Sequence, residues 1–137
     1  MRYLILAGCI ALGSCTTTPQ GAERAAVEAA ETQAGLEAEL AGLVPGEPTD
    51  CLPTPIRTQV NSRTFGSTIV YRVSDRQKYR NDTTGGCERA SDGRAILITS
   101  NPIGRSCRGD IVQTVDPVSR IPLGSCALGA FTPYRRP

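Results

Sequence analysis

Thr68-Ile69-Val70-Tyr71-Arg72-Val73-Ser74-Asp75-Arg76-Gln77-Lys78-Tyr79-Arg80-Asn81 reads as a β-hairpin. Its first half is rich in β-branched residues, and Ile69, Tyr71 and Val73 alternate onto one face. Ser74-Asp75 is a turn signal, and Gln77 to Asn81 alternates around Tyr79. A three-residue loop, Ser74-Asp75-Arg76, pairs Tyr71 with Tyr79 and Arg72 with Lys78. Both tyrosines then face inward. A two-residue loop would set Lys78 against Tyr71 on the buried face, which is costly for a charge. In the favoured register Arg72, Lys78 and Arg80 share the outer face as a cationic ribbon.

Further strands read outward from this hairpin. Pro55 to Val60 alternates. Ala95-Ile96-Leu97-Ile98-Thr99 is a continuous apolar run and is predicted to be central. Ile111 to Val115 and a shorter Ala127 to Phe131 segment follow. Gly85-Gly86, Asp92-Gly93, Asn101-Pro102 and Asp116-Pro117 separate them. Short strands with frequent turns predict a mostly β fold, a small antiparallel meander or barrel of five or six strands.

The core available to this fold is small. The chain has 137 residues, of which 39% are hydrophobic and only 4% aromatic, with no Trp. Such a core needs a staple. Cys51, Cys87, Cys107 and Cys126 supply one, read as two disulfides. Their spacings of 36, 20 and 19 residues contain no CxxC pair, and the chain has no His, so a zinc site fits poorly. In a meander, Cys51 and Cys107 precede strands at one end, and Cys87 and Cys126 follow strands at the other. Pairing Cys51–Cys107 with Cys87–Cys126 is therefore preferred over the other two connectivities. Each bridge contributes about 4 kcal/mol by constraining the unfolded chain.

The N-terminus reads as an export address. Arg2 precedes an apolar run from Tyr3 to Leu12, too short for the ~20 residues of a membrane-spanning helix and suited to a signal peptide. The run ends in Leu12-Gly13-Ser14-Cys15, which resembles the lipobox of bacterial lipoproteins. Leu6-Ala7-Gly8-Cys9 fits the same pattern but leaves too short an apolar run before it. Residues 1–14 are then the signal peptide and Cys15 the acylated residue, with 15–19 a spacer. Multiple acyl chains give stable anchoring, each buried CH₂ adding ~0.8 kcal/mol. Thr16 follows the cysteine, where an Asp would signal inner-membrane retention. The resemblance implies an outer-membrane lipoprotein facing the periplasm.

Residues 20–44 read as a helical tether. Thr18 is an N-cap and Pro19 a first helical residue. Ala22, Ala26, Ala29, Gln33, Leu36, Leu40 and Leu43 form one stripe, weak at its alanine end and strong at its leucine end. The last two turns are able to dock, and the first half should fray. A semi-rigid spacer is favoured over a coiled-coil seam. Residues 45–50 are a linker, and 51–137 are the folded unit.

Cys51-Leu52-Pro53 with Ile56-Arg57, Thr68-Ile69 with Tyr71, Tyr79-Arg80-Asn81, Cys87, Cys107-Arg108-Gly109-Asp110-Ile111 and Cys126-Ala127-Leu128-Gly129 with Phe131 together resemble a family of small proteobacterial lipoproteins catalogued as a domain of unknown function. The resemblance covers residues 51–131. It implies export and carries no activity, ligand or catalytic residue.

Charge is unevenly spread. Residues 16–50 carry one Arg against seven acids, a net of −6, and residues 51–137 carry thirteen cations against six acids, a net of +7. The ribbon admits three readings: a site for an anionic envelope component or protein, a seat for the chain's own acidic helix, or solvated charge. Arg105 and Arg108 beside Cys107 extend the candidate anion-binding set. The acidic tether and scarce aromatics argue against nucleic acid. Without His, the usual hydrolase triads and dyads are excluded, and no residue pattern calls for a metal or cofactor. The sequence therefore favours a binding or structural module of the envelope. An inhibitor of a periplasmic or foreign enzyme, acting through the Asn101 to Arg108 loop, is the alternative, and a small enzyme is the least favoured reading.

Overall fold

A computed structural model describes residues 18–53, 60–100 and 104–137. The expected strand at Pro55–Val60 falls almost wholly outside these residues. The described chain runs as helix α1 (Pro19–Leu40), then strands β1 (Val44–Pro45), β2 (Asn61–Phe65), β3 (Thr68–Ser74), β4 (Gln77–Asp82), β5 (Ile96–Thr99), β6 (Ile111–Val115), β7 (Pro122–Ala127) and β8 (Phe131–Arg135). A single 3-10 turn, Glu88–Ala90, lies between β4 and β5.

The fold is mostly β and antiparallel, but the described residues form eight strands rather than five or six, and among them no barrel closes. The strands form two open sheets, ordered β1-β8-β4-β3-β2 and β5-β6-β7. The departure from a meander comes from β8, which returns to the first sheet and pairs with β4. Pro133 hides this strand in the sequence, because proline lacks the ladder donor. Here its carbonyl accepts from Gly46 N at 2.8 Å. The missing N–H therefore faces the short β1 side, where little ladder is lost. β2 was hidden by its polar run Asn61-Ser62-Arg63, and β7 by Pro122 and Gly124. The expected strand from Ala127 to Phe131 is instead the passage from β7 into β8. β5, expected to be central, ends its sheet with Ile96 and Ile98 exposed.

The β3–β4 hairpin keeps the expected register by a different device. Tyr71 pairs with Tyr79 and Arg72 with Lys78, but the turn closes at Ser74 and Gln77, leaving only Asp75 and Arg76 between. A bulge between Arg72 and Ser74 absorbs the extra residue. That bulge lets a two-residue turn coexist with inward tyrosines.

The first sheet divides two apolar clusters. On one side Ile69, Tyr79, Phe131, Leu52, Leu128, Val112, Cys87 and Cys126 pack between the sheets, with Tyr71, Val73 and Leu97 at the margin. Tyr71 lies 5.7 Å from Phe131, ring to ring, and burial pushes its hydroxyl pKa up to about 12. On the other side Val70 and Phe65 meet Leu36 and Leu40 of α1. Asn81 is fully buried, and its amide bonds the loop leading into β8: Nδ2 donates to Gly129 O at 2.8 Å, and Oδ1 accepts from Gly129 N at 2.9 Å. Gly129 is required there, because a Cβ would stand 2.1 Å from Asp82 O.

Two disulfides tie the layers. Cys51 bonds Cys107, with Cα atoms 3.9 Å apart, and Cys87 bonds Cys126, with Cα atoms 5.6 Å apart. The first joins two segments already paired by Leu52 N to Ser106 O and Arg108 N to Asp50 O. The second fastens the crossing between the sheets to β7.

Candidate functional site

The cationic ribbon and the end of α1 form one site. The antiparallel register sets Arg72 beside Lys78 on the face of the sheet opposite the inter-sheet core. That face is not open to solvent. α1 begins with Thr18 accepting from Gly21 N at 3.3 Å, has Pro19 as its first residue, and ends at Leu40, before Gly42 in the left-handed region. It stops earlier than the sequence stripe implies, leaving Leu43 outside the helix. Its buried residues are Leu36, Glu39 and Leu40. The two leucines dock on Phe65 and Val70, which carries Glu39 over the ribbon.

Glu39 is held by three cations. Arg72 donates to both carboxylate oxygens, from Nη2 to Oε1 at 2.7 Å and to Oε2 at 2.8 Å, with Nε also reaching Oε1 at 3.1 Å. Lys78 Nζ donates to Oε1 at 2.6 Å and also to the Glu39 backbone carbonyl. Arg63 Nη1 lies 3.7 Å from Oε2, its guanidinium over the Phe65 ring. Lys78 is 8% exposed, and the sequence placed it on an outer face. The helix end is what buries it, and the carbonyl and carboxylate are what make that burial tolerable. Burial pushes the Glu39 carboxyl up, but hydrogen bonds and charge from Lys78 and Arg72 outweigh this and hold it below its ordinary value. The bond to Glu39 also raises Arg72.

The rest of the candidate set is scattered. Arg80 turns from the cluster to Asp82, at 2.9 Å from Nε to Oδ1, and Asp82 also accepts from Thr68 at 2.7 Å. Arg108 lies 3.2 Å from Asp50 beside the Cys51–Cys107 bridge. Arg105 is exposed. The structure thus joins Arg72 and Lys78, adds Arg63 and Glu39, and leaves Arg80, Arg105 and Arg108 apart. Glu39 lies three residues after Leu36 and four before Leu43, which sets it at the margin of the docking stripe.

Arg80 also lines an open cleft of about 650 Å³ between α1 and the sheet. Ala25, Glu28, Ala29 and Thr32 line the helix wall. Arg80, Arg89 and Arg94 lie opposite, near Ser67 and Thr68 at the tip of the β2–β3 hairpin. The helix wall also carries Glu31, and Glu88 and Asp92 stand among the three arginines, so the lining mixes both charges. Such a cleft suits a polar ligand. Among the described residues, no three His, Cys, Asp or Glu side chains group as metal ligands, and no helix is long and apolar enough to cross a membrane.

Comparison with protein-family models, with curated proteins and with solved structures finds no match.

Proposed function

We propose that this chain is an exported lipoprotein, anchored through acyl chains on Cys15 in the outer membrane with its folded unit in the periplasm. It acts there as a binding or structural module of the envelope. The observation that carries this reading is the pair of bridges, Cys51–Cys107 and Cys87–Cys126, across a domain with a small core. Bridged cysteines belong to oxidising compartments, and Leu12-Gly13-Ser14-Cys15 supplies the matching address. The resemblance to small proteobacterial lipoproteins points the same way.

An anionic partner would have to bind away from the Glu39 cluster. Arg72 and Lys78 are occupied by Glu39. On the wall of the cleft Arg80 pairs with Asp82 and Arg94 lies 3.6 Å from Asp92, both at the surface where an anion can compete, and Arg89 stands beside them. Palmitate labelling of the native chain and of Cys15→Ser tests the anchor. Label on the native chain alone supports it, and equal labelling sinks it. Affinity capture from envelope extracts tests the binding. A captured component that salt releases and that Arg89→Ala/Arg94→Ala loses supports the cleft. Unchanged capture by that variant removes the cleft from the reading.

A second reading, inhibition of an enzyme, is favoured by a different loop from the one the sequence offered. Asp116 Oδ1 accepts from Val118 N, Ser119 N and Ser119 Oγ at 2.9, 2.7 and 3.0 Å, fixing the β6–β7 tip. Val118 projects from it almost fully exposed. A rigid apolar tip suits insertion into another protein's cleft. Val118→Asp should abolish any inhibition found in a panel of periplasmic hydrolases.

A further inference from the structure

Pairing accounts for much of this protein's charge. All thirteen Asp and Glu residues of the chain lie among the described residues. Glu39 holds Arg63, Arg72 and Lys78, and Asp82, Asp92 and Asp50 take Arg80, Arg94 and Arg108. The other described arginines make no ion pair. Arg24, Arg89, Arg105 and Arg120 among them belong to α1, the 3-10 turn and two separate loops. Arg76, Arg135 and Arg136 stand together at one end of the first sheet.

Strand pairing gathers these three. In the β4–β8 ladder Gln77 lies opposite Arg135. One step further on, Arg136 N donates to Arg76 O at 3.1 Å. Arg76 and Arg136 are therefore cross-strand neighbours. Alternation sets both on the face that carries Lys78 and Tyr134, about 7 Å beyond that pair. All three arginines are exposed. Beside them lies an open groove of about 430 Å³, lined by Val44, Gly46, Pro133, Arg135 and Arg136, with Glu47 its one acidic side chain.

Like charges opposed across a ladder cost stability, so the fold itself gains nothing from setting Arg76 against Arg136. Asp75 in the adjoining turn and Glu47 in the groove pair with none of the three. The neighbouring cluster adds to the positive field, because Arg63, Arg72 and Lys78 outnumber Glu39. One carboxylate is matched by one guanidinium, as Asp82 is by Arg80. Three guanidiniums call for a group with several charged oxygens, and the planar fork of arginine grips phosphate oxygens two at a time.

We propose that Arg76, Arg135 and Arg136 form a phosphate-binding site at the end of the β4–β8 ladder, taking a phosphate ester or diphosphate group. The site goes beyond the envelope-binding reading above. It shares no residue with the cleft of Arg89 and Arg94, and it does not depend on the lipid anchor.

Isothermal titration calorimetry of the full chain in mild detergent, with inorganic pyrophosphate at low salt, tests this. The native chain is expected to bind in the micromolar-to-millimolar range, more weakly as salt rises. Arg76→Gln/Arg136→Gln should weaken binding at least about tenfold. Arg76→Lys/Arg136→Lys keeps the charge without the fork and should restore only part of the affinity. Arg89→Ala/Arg94→Ala should bind as the native chain does. Circular dichroism establishes that each variant is folded. Glycerol 3-phosphate and a short-chain phosphatidic acid, titrated in the same way, distinguish the source of the phosphate. Equal affinity marks a soluble ester, and tighter binding of the lipid marks a headgroup. A native chain that binds no pyrophosphate at millimolar concentration overturns the proposal, as does binding that Arg76→Gln/Arg136→Gln leaves intact. Full affinity in the lysine variant reduces the site to diffuse charge and overturns it too.

Discussion

The two faces of the β3–β4 hairpin are covered by different chemistry. One face meets the second sheet through Ile69, Tyr79 and Phe131, and the Cys87–Cys126 bridge sits in that layer. The other meets the end of α1 through Leu36 and Leu40, and through one carboxylate shared by three cations. The first layer is apolar and covalently fastened, so pH and salt should hardly touch it. The second is a small apolar contact completed by ion pairs, so both should loosen it. The chain thus holds its sheets together by one means and α1 by another, and α1 is the part that conditions can release.

Phe131→Ala strikes the apolar face and carries the largest expected effect. The ring is fully buried, and its removal should cost about 3–5 kcal/mol, read as a lowered denaturant midpoint with both disulfides intact. Equal loss of helix and sheet signal is expected, because this layer supports everything above it.

Glu39→Gln strikes the helix face. It removes the charge that Lys78 and Arg72 share and should cost about 1–3 kcal/mol. The helix is able to lift and rehydrate Lys78, which limits the loss. Hydrogen exchange should quicken in α1 and stay slow in β3, β4 and β8. Uniform loss of protection would show that the two faces are not independent.

Acid should separate the faces without mutation. The Glu39 carboxyl titrates below its ordinary 4.5 in the folded chain. A depressed carboxylate contributes stability that is fully present above the unfolded value and is lost as pH falls through the folded one. Helix docking should therefore weaken below about pH 4.5 while the inter-sheet core persists. Proteolysis within α1 against pH checks this, and Glu39→Gln should flatten the profile.

Thr114 offers the smallest test, on the inter-sheet face. Its hydroxyl is buried with no hydrogen-bond partner among the described residues. Thr114→Val keeps the shape and removes the unsatisfied group, and should stabilise the fold by up to about 1 kcal/mol. Destabilisation would mean that the apolar layer depends on this hydroxyl.

The sequence made much of this legible where local rules suffice. Thr18-Pro19 starts a helix because a cap and a fixed φ act within one turn. Tyr71 and Tyr79 pair because parity forbids Lys78 on the buried face. Cys51–Cys107 and Cys87–Cys126 follow from which strand ends come together, although the meander assumed for them is not the topology found. What stayed illegible needed distant partners. Pro133 belongs to a strand only because its missing donor faces short β1. Ile96-Leu97-Ile98 reads as central by hydrophobicity, and only the pairing order places it at an edge. Lys78 looks solvated until Leu36 and Leu40 bring Glu39 onto it. A sequence fixes local geometry through sterics and alternation, whereas burial depends on which surfaces meet, and that is a property of the whole packed chain.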